Sequence, residues 1–122
     1  MSNVLEIGLR MDNADLRGLV SGLLGGRDDV RLTADPEARL DVLAADLGED
    51  PSARLAELAG LLERGAVHEV ILLGERPDPE LLIRAMRAGI KEFLSLPLQD
   101  GELEEALARI SGRLPRDGDG EG

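Results

Sequence analysis

Apolar residues along the chain follow two alternating spacings. Short apolar runs, which are typical of buried strands, cover residues 4–9, 41–46, 67–73 and 92–96, and an alternating run that suits a half-exposed edge strand covers 30–34. Elsewhere apolar residues recur every three or four positions, which predicts amphipathic helices. Their inner stripes run over residues 16–24, 55–62, 82–86 and 103–110. About one helical turn, residues 37–40, fits between the second and third strands.

Strands that alternate with helices predict crossover connections and a parallel sheet covered on both faces. Five strands of this size suit a doubly wound sheet of order 2-1-3-4-5 with a shortened or missing second helix. The short connection is expected to uncover one sheet face near Leu32 and Leu43. We expect one domain over residues 1–114 and a disordered acidic tail or linker over 115–122, whose sequence is PRDGDGEG.

Polar residues before three of the helical stripes predict their starts. Asp12 and Asn13 precede the first, Asp78 and Pro79 precede the third, and Asp100 precedes the last. Proline at residue 51 also opens the helix whose apolar stripe runs over residues 55–62. These residues are typical N-caps or first-turn residues, so a structural role competes with any chemical role for Asp12 and Asn13.

Composition excludes several classes of function. The formal net charge of -11 disfavours nucleic acid and anionic membranes as partners, and an aromatic content of 1% removes base-stacking platforms. With no cysteine there are no thiol catalysts or disulfides. The single histidine, His68, lies at the start of a strand and is not expected to be catalytic. There is no long apolar run or basic amino-terminal signal, so we expect a cytoplasmic protein without direct membrane insertion.

Candidate chemistry lies where the strands end. In a sheet of this order, ligands bind outside the carboxyl ends of the strands where the order reverses. The residues expected there are Asp12, Asn13, Asp46, Gly74, Leu96 and Pro97. Because Glu49 and Asp50 follow closely and no lysine does, the sequence predicts an unneutralised acidic pocket able to hold a cation. The alternative for Asp46 is a polar residue that merely ends its strand.

The run DVLAAD, ending at Asp46, and the residues after the other strands resemble the receiver domain of response regulators, over residues 3 to about 113. The resemblance implies a flavodoxin-like α/β fold, with Asp46 at the phosphoacceptor position and Asp12, Asn13 and Asp46 as ligands of a weakly held Mg²⁺. It also implies a cis peptide bond before Pro97. Gly74 stands where receivers have a switch hydroxyl and Leu96 where they have a lysine, so the domain looks like an atypical, or pseudo-, receiver.

The segment AMRAGIKEFLSLPL, residues 85–98, is similar to the amino-terminal receiver-like domain of the CpaE/TadZ family. That resemblance implies a role in assembly or polar placement of Flp/tight-adherence pili. In that family the domain precedes a MinD-like P-loop ATPase in the same native chain. The chain contains no G-x-x-x-x-G-K-[ST] motif, so it is expected to be either an excised domain or a stand-alone relative.

The leading hypothesis is a non-enzymatic pseudo-receiver that needs no cofactor and mediates contact with a protein partner or a second copy. Receivers use the fourth helix, fifth strand and fifth helix as a partner surface, and the matching apolar residues are Met86, Ile90, Phe93, Leu94 and Leu98. The alternative is a phosphoryl-accepting receiver of two-component signal transduction that uses Asp46 and Mg²⁺. A flavin- or nucleotide-binding module is disfavoured because acids after the first strand would repel phosphate.

Overall fold

The computed structural model describes residues 4–34, 39–75 and 78–114. Within these ranges, five strands alternate with four helices. The strands are β1 (Leu5–Arg10), β2 (Val30–Leu32), β3 (Leu40–Asp46), β4 (Val67–Gly74) and β5 (Glu92–Ser95). The helices are α1 (Ala14–Gly25), α2 (Pro51–Glu63), α3 (Pro79–Arg87) and α4 (Glu102–Arg113). No helix in the described ranges is long and apolar enough to cross a membrane.

All strand pairs are parallel, and the order is β2-β1-β3-β4-β5, which confirms the predicted α/β architecture. The register pairs Arg10 with Ala45, Asp46 with Leu73, and Gly74 with Ser95. The carboxyl ends of β1, β3, β4 and β5 therefore meet along one edge of the sheet. The order reverses between β1 and β3, so this edge has the crevice in which such folds bind ligands.

Apolar side chains form one core on each sheet face. The first lies under α1 and α4 and includes Val20, Ile71 and Ile110. The second lies under α2 and α3 and includes Leu58, Val70 and Leu72. These two layers fix the ends of the central strands, and hence the candidate site, by packing on both sides of the sheet.

The connection from β2 to β3 departs from the predicted bounds. β2 ends at Leu32 and not at residue 34, and Leu40 belongs to β3 and not to a helical turn. Of the predicted turn, residues 37 and 38 lie outside the described ranges, and residue 39 is not helical. The predicted tail at 115–122 also lies outside the described ranges. The described residues of the connection contain no helix, in agreement with a reduced second helix.

The prediction of an uncovered sheet face is correct near Leu32 but not near Leu43. Leu32 is 39% exposed, and a groove of about 540 Å³ lies beside it, lined also by Gly8 and Leu40. Leu43, in contrast, is buried, because it packs in the same cluster as Leu58 of α2. Helix α2 therefore covers the part of β3 that we expected to be open.

The helix starts show which of the predicted capping residues act as N-caps. Asn13 is the N-cap of α1, and its Oδ1 accepts a hydrogen bond from the Leu16 N–H at 3.1 Å. The prediction that Asp100 caps the last helix is wrong: Gly101, with φ of 87°, is the N-cap of α4 and offers no side-chain acceptor. Instead the Glu102 carboxylate accepts from the Gln99 N–H at 2.8 Å.

Two buried glutamates at the amino ends of β4 and β5 anchor the end of α4. Arg113 donates to Glu69 at 2.9 Å, and Arg109 donates to Glu92 at 2.7 Å. The hydrogen bond from Arg109 holds the pKa of Glu92 below its ordinary value, and Arg113 adds to the effect. These pairs lie at the edge of the sheet opposite to the candidate site, so their role is to fix α4.

Candidate functional site

Asp46 lies at the carboxyl end of β3, where the resemblance places a phosphoacceptor, and it is buried. Its Oδ2 accepts hydrogen bonds from the backbone N–H groups of Asp12 and Asn13, at 2.8 and 3.1 Å. Its Oδ1 accepts a hydrogen bond from Arg54 Nη1 at 2.8 Å. Both carboxylate oxygens are therefore engaged by groups of the chain itself.

Arg54, in the first turn of α2, reaches into this edge of the sheet and is 4% exposed. Besides Asp46 Oδ1, its Nη1 lies 2.7 Å from the Arg10 carbonyl and 2.9 Å from the Asp46 carbonyl. Its Nη2 donates to Asp12 Oδ2 at 3.0 Å, and its Nε lies 3.8 Å from Glu57 Oε1. A cation near a helix amino terminus is opposed by the macrodipole, so these oxygens must offset that cost.

A second arginine completes the cluster. Arg10 donates to Glu57 Oε2 at 2.8 Å and to Asp12 Oδ1 at 3.2 Å. The hydrogen bond to Glu57 raises the pKa of the Arg10 guanidinium. We call Arg10, Asp12, Asp46, Arg54 and Glu57 the arginine–acid cluster. The prediction of an unneutralised pocket is wrong for Asp12 and Asp46, since both pair with arginines. Three carboxylates face two guanidinium groups, so the cluster keeps a net charge of -1.

The residues expected to hold Mg²⁺ are close together, but their oxygens already have partners. Both carboxylate oxygens of Asp12 accept from arginines, both of Asp46 accept from N–H donors, and Asn13 Oδ1 caps α1. Among the described residues no group of three or more acids or histidines is placed to hold a metal ion. The oxygens of this site therefore bind guanidinium groups, where the oxygens of an open site would bind a metal cation.

A glycine in the loop after β3 allows the arginine to approach. Gly48 has φ of +68°, a conformation that other residues rarely adopt. A Cβ at this position would lie 2.9 Å from Arg54 Nη2 and 3.1 Å from Asp12 Oδ2. The loop backbone therefore packs directly on the guanidinium group and shields it from water.

The position of the missing switch hydroxyl is filled by apolar side chains. A Cβ on Gly74 would lie 2.7 Å from Leu47 Cδ1 and 3.6 Å from Phe93 Cζ. Phe93 is half-buried and packs against the core under α2 and α3. A threonine or serine at residue 74 would therefore need Leu47 to move.

The side chain at the position where receivers have a lysine also packs towards the core. Leu96 is half-buried and packs against the cluster under α1 and α4. Its backbone N–H donates to the Gly74 carbonyl at 3.0 Å. The peptide bond between Leu96 and Pro97 is cis, as the resemblance implied.

The predicted partner residues divide between surface and core. Met86 is 70% exposed, and with Leu82, Ile90 and Phe93 it lines a groove of about 420 Å³ between α3 and β5. We call these four residues the α3–β5 surface. Ile90 is 3% exposed and forms only the floor of the groove.

Leu94 and Leu98 do not belong to this surface. Leu94 is buried in the core under α1 and α4, so its prediction as a surface contact is wrong. Leu98 is half-buried against the same core. Ile83, which the sequence analysis did not select, is 48% exposed on α3, three positions before Met86.

Sequence reasoning missed three site residues, Arg10, Arg54 and Glu57, and Arg54 is the one for which the sequence held a signal. It stands four positions before Leu58 and seven before Leu61, on the same helical stripe, and that spacing was a usable signal. An arginine on an apolar stripe in the first turn of a helix needs a buried anionic partner. Glu69 and Glu92 gave no such signal, since their arginine partners are far away in the sequence.

Comparison with known proteins relates this geometry to solved structures. Neither a scan of protein-family models nor a search of curated proteins found a match. A candidate pilus assembly-related protein from Burkholderia pseudomallei is similar with a TM-score of 0.76 and 23% identity, over 95% of this chain and 96% of that chain. A candidate pilus assembly protein, CpaE, from Burkholderia thailandensis has a TM-score of 0.73 and 24% identity, over 89% and 99%.

A chemotaxis protein shares the same architecture. CheY4 from Vibrio cholerae has a TM-score of 0.72 and 19% identity, over 88% of this chain and 98% of that chain. Pilus assembly proteins and response-regulator receivers are thus both structural neighbours, as the sequence resemblance predicted. The described chain has the flavodoxin-like fold of response-regulator receiver domains, including those of CpaE and TadZ proteins.

Proposed function

We propose that this domain is a non-enzymatic pseudo-receiver that contributes a protein contact, through self-association or localisation, to a CpaE/TadZ-like pilus assembly system. Its place of action is the cytoplasm, including the cell pole. It requires no cofactor. The contact is made by the fold as it stands and does not wait for a phosphoryl group.

The observation that carries this proposal is the state of Asp46. A nucleophilic carboxylate needs a free oxygen facing the incoming phosphorus, with a cation beside it to neutralise the transferred group. Here one oxygen accepts from Arg54 and the other from two backbone N–H groups. The positions that would read an added charge hold Gly74 and Leu96, neither of which can donate a side-chain hydrogen bond.

The surface that supports a contact role is the α3–β5 surface. Met86 and the neighbouring Ile83 expose apolar area that no described residue covers. Three basic residues, Arg84, Arg87 and Lys91, and no acids occur within residues 83–91, although the whole chain carries a net charge of -11. A partner that combines apolar and acidic groups would complement this surface, and a second copy of this acidic chain has that chemistry.

The partner classes follow the same logic. Self-association is one contact, and a MinD-like P-loop ATPase domain in the same native chain is another. Nucleic acid is a poor partner for a chain of this charge. The proposal includes no direct insertion into a membrane.

Light scattering across a concentration series tests the proposal, with and without Mg²⁺ and acetyl phosphate. We expect a mass above that of one chain, unchanged by acetyl phosphate and reduced to one chain by Met86→Glu. Leu19→Glu is the matched control, because Leu19 is 49% exposed on α1, on the other face of the sheet. A single-chain mass at every concentration would rule out self-association. If acetyl phosphate changes the mass of the wild type but not that of Asp46→Asn, the result supports the phosphoryl-accepting alternative.

A further inference from the structure

We propose that the Arg54 guanidinium group takes the place of the divalent cation in this receiver fold, so that the chain itself supplies the cation at this site and binds no Mg²⁺ there. The inference goes beyond the proposed function. A metal titration tests Arg54, whereas the mass measurement tests the α3–β5 surface. Either proposal can therefore fail while the other stands.

The contacts of Arg54 are those that an oxygen-loving cation would make. Five oxygen atoms surround the guanidinium group within 3.8 Å: two backbone carbonyls and one carboxylate oxygen each from Asp12, Asp46 and Glu57. Divalent magnesium and calcium ions in proteins are held by the same kinds of group, carboxylates and carbonyls. The arginine differs in being tethered to the chain, so its local concentration does not depend on the cell's metal supply.

The structure gives the arginine little freedom to leave. Its side chain is 4% exposed, and Gly48 closes over Nη2 so tightly that a Cβ there would lie at 2.9 Å. For Mg²⁺ to enter, the guanidinium group would have to abandon three carboxylates and two carbonyls and find new partners in water. A buried guanidinium that has lost its carboxylates is strongly disfavoured, so the tethered cation excludes the free one.

The consequence for regulation is a site with one state. In a switchable receiver the site changes when metal and a phosphoryl group arrive. Here Arg54 joins the ends of β1 and β3 to the start of α2 without metal or a phosphoryl group. The α3–β5 surface is therefore presented without a signal at this site.

Mn²⁺ titration of the whole chain, followed by paramagnetic broadening of amide resonances, tests the inference. We expect no broadening centred on Asp12 and Asp46 in the wild type at millimolar Mn²⁺. Arg54→Ala removes the cation and leaves space, so we expect selective broadening at those residues and a rise in its melting temperature when Mn²⁺ is added. Arg84→Ala is the matched control. It removes one positive charge, as Arg54→Ala does, and Arg84 is exposed on α3, where it contacts Ser52 of α2.

The outcomes divide clearly. Wild-type broadening centred on Asp46 that Asp46→Asn abolishes would overturn the inference, and so would a folded Arg54→Ala whose Mn²⁺ response equals that of Arg84→Ala. If Arg54→Ala folds only with Mn²⁺ present, the inference is supported. If it does not fold at all, the wild type and Arg54→Lys, which keeps the charge, decide the matter: both must remain unbroadened.

Discussion

Replacing either member of the Asp46–Arg54 pair should destabilise the fold, and the two effects should be coupled. The atoms Asp46 Oδ1 and Arg54 Nη1 are 2.8 Å apart, and the two side chains are 10% and 4% exposed. Breaking a buried pair by removing one partner costs about 3–5 kcal/mol, a large part of the roughly 5–15 kcal/mol that stabilises a typical domain. Arg54→Met keeps the apolar stem, so it isolates the loss of the charged group.

Asp46→Asn gives the sharper test, because two pictures of the site predict opposite signs. If the acids were unbalanced, removing one negative charge would relieve repulsion and stabilise the fold. With Arg54 in place, it should instead cost about 3 kcal/mol, since a buried guanidinium loses its closest carboxylate. The double variant should be less destabilised than the sum of the single variants by about 1–3 kcal/mol.

Urea unfolding followed by far-ultraviolet circular dichroism measures these free energies. The chain has no Trp and no Tyr, so intrinsic fluorescence is a poor probe. Arg84→Ala is the control and should lie within about 0.5 kcal/mol of the wild type. An Asp46→Asn variant more stable than the wild type, or strictly additive single effects, would refute the reasoning.

Three further predictions use the same unfolding measurement. Gly74→Thr should cost about 1–3 kcal/mol through overpacking, and adding Leu47→Ala should restore part of the loss; equal stability of Gly74→Thr and the wild type would contradict the packing argument. Asn13→Ala should cost about 1 kcal/mol, because the first turn of α1 loses its cap, and no change would argue against that role. The lowered pKa of Glu92 means that its stabilisation is complete above its ordinary value of 4.5 and is lost as the pH falls through the lower folded value. Glu92→Gln should therefore lower stability at neutral pH and flatten its decline in acid, and an unchanged pH profile would count against the ion pair.

Sequence patterns were sufficient for the architecture because the relevant forces are local. The period of the apolar residues distinguishes strands from helices, and their alternation leaves few topologies for a sheet of this size. Asn13 as an N-cap also followed from its position directly before a helical stripe. Asp100 illustrates the limit, since the glycine after it adopts a positive φ and the helix begins there without a side-chain cap.

The chemistry of the site was less accessible because it depends on pairs that are distant in the sequence. Asp46 was placed correctly at a strand end, yet its partner is supplied by a helix whose sequence suggested only an apolar stripe. Leu94 was expected at the surface because it lies on the strand that receivers use for partner contacts, but strand alternation turns it towards the core under α1 and α4. Counting acids and lysines along the sequence therefore gave a wrong picture of a site where side chains from separate elements meet.

Amide chemical shifts of the wild-type chain in Mg²⁺ and beryllofluoride, a phosphoryl mimic, test the central claim most directly. That claim is that the receiver fold is kept while its phosphoryl switch is closed by Arg54 and by the packing at Gly74. We predict that resonances of Asp12, Asp46 and Gly74 do not move at millimolar concentrations of the mimic. Shifts centred on Asp46 that disappear in Asp46→Asn would contradict the account and identify a working phosphoacceptor.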